Sequence, residues 1–194
     1  MELIEHVKQM AEAASKLSFL ASGKSIEIVS SNESKDLRRR EADIAIRNHP
    51  TQHPDLIARK VKTAKAYLYA SKGFIKKHGP FKNKKELENM TFMGMADNTR
   101  WLKALQGIGI DVDESNFPII TDSHLVHWSI VEQGMAIGVV PDFAVKNNKV
   151  VEKVLKSLPG LPIETWVVSH RELRTSRRIR FVYDCLVEYI NERS

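Results

Sequence analysis

Cys185 is the only cysteine in the 194-residue chain, so no disulfide can form within it and a reducing compartment suits it. No apolar run approaches the roughly 20 residues that span a bilayer. The N-terminus also lacks the apolar stretch of a secretory leader. These absences predict a cytoplasmic protein with no membrane partner. The glycines near Gly107, Gly109 and Asp111 have neither the spacing nor the strand-to-helix setting of a nucleotide-binding loop. No nucleophile-elbow motif occurs either. Cofactor and hydrolase chemistry therefore have no motif to rest on.

What remains is an ordinary globular composition, 42% apolar and 28% charged, long enough for one or two domains with real cores. The formal net charge is +6 and the pI is near 9.4. That balance permits nucleic-acid contact without demonstrating it, because basic and acidic residues are interspersed. Arg38, Arg39 and Arg40 point three ways around a helix and read as a solvated face.

Residues 1–22 carry Leu3, Val7, Met10, Ala14, Leu17 and Ala21 at alternating spacings of four and three, and Gly23 closes the element. This is the narrow stripe of a coiled-coil seam, flanked on both sides by polar residues, and it predicts a dimerisation helix. Next come a short strand at Ile26–Val29, a helix over about 33–40 and a strand at Asp43–Ile46, a β-α-β unit. Two further strands are expected at Leu56–Val61 and Ala66–Ser71, then a short helix and turn over 73–87. A strand at Met90–Met95 opens into a helix capped by Asp97, Asn98 or Thr99. The last elements are a return strand near Glu164–Ser169 and a closing helix. Its apolar face holds Ile179, Val182, Tyr183, Leu186, Val187 and Ile190.

Between these lies Thr121-Asp122-Ser123-His124-Leu125-Val126-His127-Trp128, running on through Gly134 to Val140-Pro141. It reads as a turn, an amphipathic helix, a helix-closing glycine, a short buried strand and a proline that stops it. His124 and His127 invite a metal reading, but three apart is a poor helical ligand spacing. His49 and His53 are separated by Pro50 and lack a third ligand. Ser123 or Ser129 with Asp122 and a histidine would all lie on one short helix, where a catalytic triad cannot converge. No catalytic residue, metal or cofactor is expected.

The 121–141 run resembles the second-lobe signature of the effector-binding domain of LysR-type transcriptional regulators. Glu41-Ala42-Asp43-Ile44-Ala45-Ile46-Arg47 and Trp166-Val167-Val168-Ser169-His170-Arg171-Glu172-Leu173 resemble first-lobe segments of the same family. The resemblance implies an α/β, two-lobed, periplasmic-binding-protein-like (type 2) effector domain preceded by a dimerisation helix. It implies a linker over 1–23, a first lobe from 24–65 and 164–194, and a second lobe from 66–163. Two departures stand out. The winged helix-turn-helix domain that normally precedes the linker is absent, so DNA would be reached only through such a domain carried elsewhere. The family's first strand and helix are missing where Ser25 runs into Ile26.

The implied function is to bind a small metabolite between the lobes and so control transcription, as a homodimer or homotetramer. The carboxyl ends of strands and the amino ends of helices are where open α/β sheets hold ligands, and a helix amino end favours an anion. The positions so marked are Ser31 and Asn32, then Asn98, Thr99 and Arg100, then Thr121 and Asp122. Arg100 would grip a carboxylate, or else stack on Trp101. Other readings of the same chain are a periplasmic-type solute-binding protein, which the heptad helix disfavours, and a ligand-free dimerising fragment that modulates full-length regulators.

Overall fold

The computed structural model describes residues 26–27, 42–51, 53–95, 98–146 and 148–192. The heptad helix, the helix expected over 33–40, and Ser31 and Asn32 lie outside them. The chain divides into two compact units. One is built from Lys65–Leu161; the other from the described residues up to Ala64 together with Pro162 onward. The elements run β1 (Ile44–Arg47), β2 (Leu56–Ser71), α1 (Lys72–His78), β3 (Met93–Gly94), α2 (Thr99–Gly107), β4 (Ile119–Ile120) and α3 (His124–Glu132). They continue with β5 (Gly138–Pro141), β6 (Val151–Lys153), β7 (Leu161–His170) and α4 (Arg177–Glu192).

In the unit formed by 65–161, the second part of β2 is the centre. Antiparallel β5 pairs with it from Ala66↔Pro141 to Tyr69↔Gly138, and β6 from Tyr69↔Lys153 to Ser71↔Val151. Successive side chains of a strand face opposite sides, and both sides of β2 are covered. Leu68 and Ala70 join a cluster with Phe74, Phe81, Leu87, Phe92, Leu105, Ile110 and Ile137. Tyr69 joins another with Met93, Trp128, Val131, Ala136, Val140 and Val151. The parallel pair β3–β4 is linked to this framework through Ile137, which bridges Phe92 and accepts from Met93 N–H at 2.8 Å.

In the other unit, β7 lies between β1 and β2 in sheet order and pairs antiparallel with β1, Ile44↔Ser169 through Arg47↔Trp166. Helix α4 places Tyr183 and Val187 on Val61 and Val167, with Ile44 and Ile190 at the edge. The Tyr183 hydroxyl lies 3.3 Å from the Val167 carbonyl oxygen. The apolar face expected for this helix is the face it buries.

Two expectations need correction. Leu56–Val61 and Ala66–Ser71 are one strand rather than two. Lys62-Thr63-Ala64-Lys65 does not interrupt it, because a strand is held by its backbone ladder and tolerates polar side chains on an open face. The strand expected over Met90–Met95 is shorter. The Asn116 amide donates to the carbonyls of Glu88 (2.7 Å) and Met90 (3.1 Å), taking acceptors a ladder would use.

Helix α3 rides close on β5 because Gly138 has no side chain. A Cβ there would stand 2.6 Å from Val131 Cγ2 and 3.0 Å from His127 Cε1. Gly138→Ala is expected to lower stability by about 1–3 kcal/mol through overpacking. A thermal melt of the variant indistinguishable from wild type would show that α3 shifts freely and that this contact does not set its position.

Candidate functional site

Strands β3 and β4 are parallel, with Met93↔Ile119 and Gly94↔Ile120 in register, so their carboxyl ends open on the same side. The loop after β3 leads into α2 and the loop after β4 into α3. The two are tied at their base: Thr121 N–H donates to the Gly94 carbonyl at 3.3 Å. The structure therefore brings Asn98, Thr99 and Arg100 to the same strand ends as Thr121 and Asp122. Ser31 and Asn32 lie outside the described residues.

Each loop is shaped by a short polar side chain. Asn98 precedes α2, but its side-chain oxygen does not cap that helix; it accepts from Met95 N–H at 2.8 Å and so closes the turn behind it. Of the three expected caps, Asn98 is thus a clamp on Met95, and Asp97 is outside the described residues. Thr121 Oγ1 accepts from Ser123 N–H at 3.1 Å, and Ser123 Oγ then caps α3 by accepting from Val126 N–H at 3.4 Å. Asp122 stands exposed between them. The Arg100 guanidinium lies 5.9 Å from the centroid of the Trp101 ring, the stacked alternative weighed for it. Amide, hydroxyl, guanidinium and carboxylate groups at one sheet edge can orient a small polar ligand.

Helix α3 carries the histidines. His127 is buried against Gly138, whereas His124 reaches solvent. Burial first, and repulsion from His124 second, push His127 down to about 4, so it is neutral at ordinary pH. Among the described residues no side-chain hydrogen bond joins either histidine to Ser123, Ser129 or Asp122. Trp128 is buried, and among the described residues its indole N–H meets no acceptor.

One network escaped sequence reasoning. Tyr69 hydroxyl donates to Asp142 Oδ1 at 2.6 Å, and Lys153 Nζ sits 3.0 Å from the same oxygen and 3.4 Å over the Tyr67 ring. Burial and the Asp142 hydrogen bond hold the Tyr69 phenol well above its usual range, and the same bond, aided by Lys153, lowers Asp142. The members come from β2, the turn after β5, and β6, so no local spacing reveals them. Only Pro141-Asp142, directly after the buried strand, marks the place.

A family model described as the LysR substrate binding domain matches residues 21–191. A search of curated proteins finds no significant match. Among solved structures, the chain is similar to the regulatory domain of CrgA, a LysR-type transcriptional regulator from Neisseria meningitidis. The TM-score is 0.81 at 22% identity, over 98% of this chain and 95% of that one. It is also similar to the AmpR effector binding domain from Citrobacter freundii, at 0.76 and 12% identity over 94% and 92% of the two chains. A third likeness is to full-length AphB from Vibrio cholerae, a virulence activator, at 0.71 and 18% identity, over 93% of this chain and 63% of that one. These likenesses show a shared fold, periplasmic-binding-protein-like and mixed α/β.

The buried His127 has a pH consequence. Its folded value lies below the unfolded value near 6.5, so protonation favours the unfolded chain. Its contribution to stability is complete above about pH 6.5 and is lost as pH falls toward 4, by roughly 3 kcal/mol over the whole window. Denaturant melts at stepped pH should show this slope in wild type and a flatter one in His127→Leu. Equal slopes would mean that His127 already takes up its proton in the folded state.

Proposed function

The chain belongs to the LysR substrate-binding domain family, and on that basis we propose that it is the effector-sensing part of a transcriptional regulator. The observation that carries the reading is the paired loop edge. Two parallel strands end side by side, and Asn98, Thr99, Arg100, Thr121 and Asp122 are gathered there by the Thr121–Gly94 backbone bond and the Asn98 clamp. A sheet of parallel strands presents ligands at this end.

The effector is a small anionic metabolite, with a carboxylate the best fit. The amino end of α2 carries positive partial charge, and Arg100 follows it in the first turn with a fork of donors suited to a carboxylate. The guanidinium lies 5.9 Å from the Trp101 ring centroid, and a carboxylate that takes it must compete with that contact. Thr121 and Asp122 supply an acceptor-rich counterpart for hydroxyl or amino groups of the same ligand. Ser31 and Asn32 complete the proposed set on sequence grounds. The protein acts in the cytoplasm as a dimer or tetramer paired through Leu3, Val7, Met10, Ala14, Leu17 and Ala21. The effector favours one arrangement of the paired subunits, and the linker helices pass that bias to DNA-binding domains.

Two measurements test the parts separately. Thermal melts against a panel of carboxylate metabolites should find one that raises the transition. Arg100→Ala should then weaken that ligand by about 1.5–3 kcal/mol, the worth of a charged hydrogen bond. Affinity unchanged by Arg100→Ala takes the guanidinium out of the site. Removal of residues 1–22 should turn the sedimenting species into a monomer, and a dimer that persists would refute pairing through the heptad seam.

A further inference from the structure

Helix α3 turns one face inward, and that face comes to the surface at its first residue. His124 stands three residues before His127 and four before Trp128, spacings that put all three on one side of the helix. His127 is buried against Gly138 of β5, and Trp128 is buried in the cluster that holds Met93 of β3. His124, a turn nearer the amino end, is exposed. It directly follows Ser123, the cap that Thr121 holds in place, so it stands at the strand ends where Thr121 and Asp122 lie.

Both imidazoles are without protein partners. His49, His53 and His170 each engage Nδ1 with a neighbouring backbone group. Among the described residues the rings of His124 and His127 make no hydrogen bond or ion pair. Nor are they sealed. The buried, unbonded side-chain nitrogen and oxygen atoms of the described residues are Trp128 Nε1 and Ser169 Oγ. The His127 nitrogens are not among them, so they reach solvent although the residue is only 6% exposed. Burial pushes both histidines below their usual value, His124 included, as for a ring in a recess and unlike one on an open face. Two open imidazole edges in a recess suit a solute that brings its own hydrogen-bonding groups.

We propose that His124 and His127 are further effector contacts, hydrogen-bonding the effector's carboxylate, and that its binding draws a proton onto His124. This inference rests on the effector reading of the paired loop edge. A neutral imidazole offers one donor and one acceptor, and its protonated form offers two donors. A carboxylate only accepts, so it favours the protonated ring. His124 takes the proton because His127 lies deeper, where a charge is costlier. Among the described residues the charged groups nearby are few. Strands β3 and β5, on which α3 packs, bring no titratable side chain. Tyr69, in the cluster beneath, is bound to Asp142. On the flanking loops, Asp122 favours the imidazolium and Arg100 opposes it. Free His124 titrates below 6.5, and the bound form titrates above the free one. Binding therefore strengthens as pH falls through the bound midpoint and levels off below the free one.

The test is proton NMR of the histidine rings in the whole chain, titrated over pH with and without acetate, succinate or benzoate at constant ionic strength. Exposed rings are assigned through His→Gln variants, and His127 by the proximity of its Cε1–H to Gly138. With at least one probe the His124 midpoint should rise by about 0.5 or more, which linkage converts to about threefold tighter binding on the acid side. The His127 ring signal should shift with it, while His49, His53 and His170 keep their midpoints. H124Q should flatten the pH dependence of binding. If a probe moves the Trp101 indole signal, beside Arg100, but neither ring, the effector reading stands and the histidine proposal is overturned. If no probe moves Trp101 or either ring, the effector reading falls and takes the proposal with it. Equal shifts at His49, His53, His170 and His124 would be a bulk ion effect and would also overturn it.

Discussion

The second part of strand β2, residues 66–71, is covered on both faces, and the unit formed by 65–161 depends on that constraint. A strand with one solvated face can slip or fray at modest cost, whereas one with Leu68 and Ala70 in one cluster and Tyr69 in another has no tolerable alternative register. Its ladder partners follow from this. Strands β5 and β6 are short and gain their order from pairing with it. Ile137, at the entrance to β5, then passes the order to the parallel pair β3–β4 through Phe92 and Met93.

Interior packing thus places strands β3 and β4, and the Thr121–Gly94 backbone bond and the Asn98 clamp then gather the candidate site residues at their ends. Asn98 and Thr121 commit side-chain hydrogen-bonding capacity to their own loops. The Asn98 bond returns to Met95, and the Thr121 bond holds Ser123 at the start of α3. The Tyr69–Asp142–Lys153 network acts similarly behind β5, tying the turn at Asp142–Ala144 to β2 and β6.

What was legible in the sequence was what is local. The 124–132 helix announced itself through Leu125, Trp128 and Val131 and through Gly134, whose φ of 76° is the left-handed closure expected of it. The last helix was equally plain from its spacing. What escaped reading depends on partners distant in the chain. The continuity of β2 through Lys62–Lys65 is decided by ladders that local hydropathy does not register. The 90–95 strand loses its first residue to Asn116, more than twenty residues on, which takes the Met90 carbonyl, and its last to Asn98, which takes the Met95 N–H. Asn98, one of the three residues expected to cap its helix, instead accepts from Met95 N–H behind it. The resemblance to LysR-type regulators was likewise carried by ordered local segments, and the family match over 21–191 agrees with it.

The three tryptophans stand in three unlike surroundings. Trp128 is enclosed in apolar side chains with its N–H unbonded, Trp166 donates to Glu164 at 3.0 Å in the other unit, and Trp101 lies half exposed beside Arg100. An indole's emission shifts to shorter wavelength as its surroundings lose polarity, and a nearby cation alters its yield. The chain therefore carries its own optical labels, one for the core around α3, one for the strand beneath α4, and one at the candidate site. Replacing any two by phenylalanine leaves a single-colour gauge of the third.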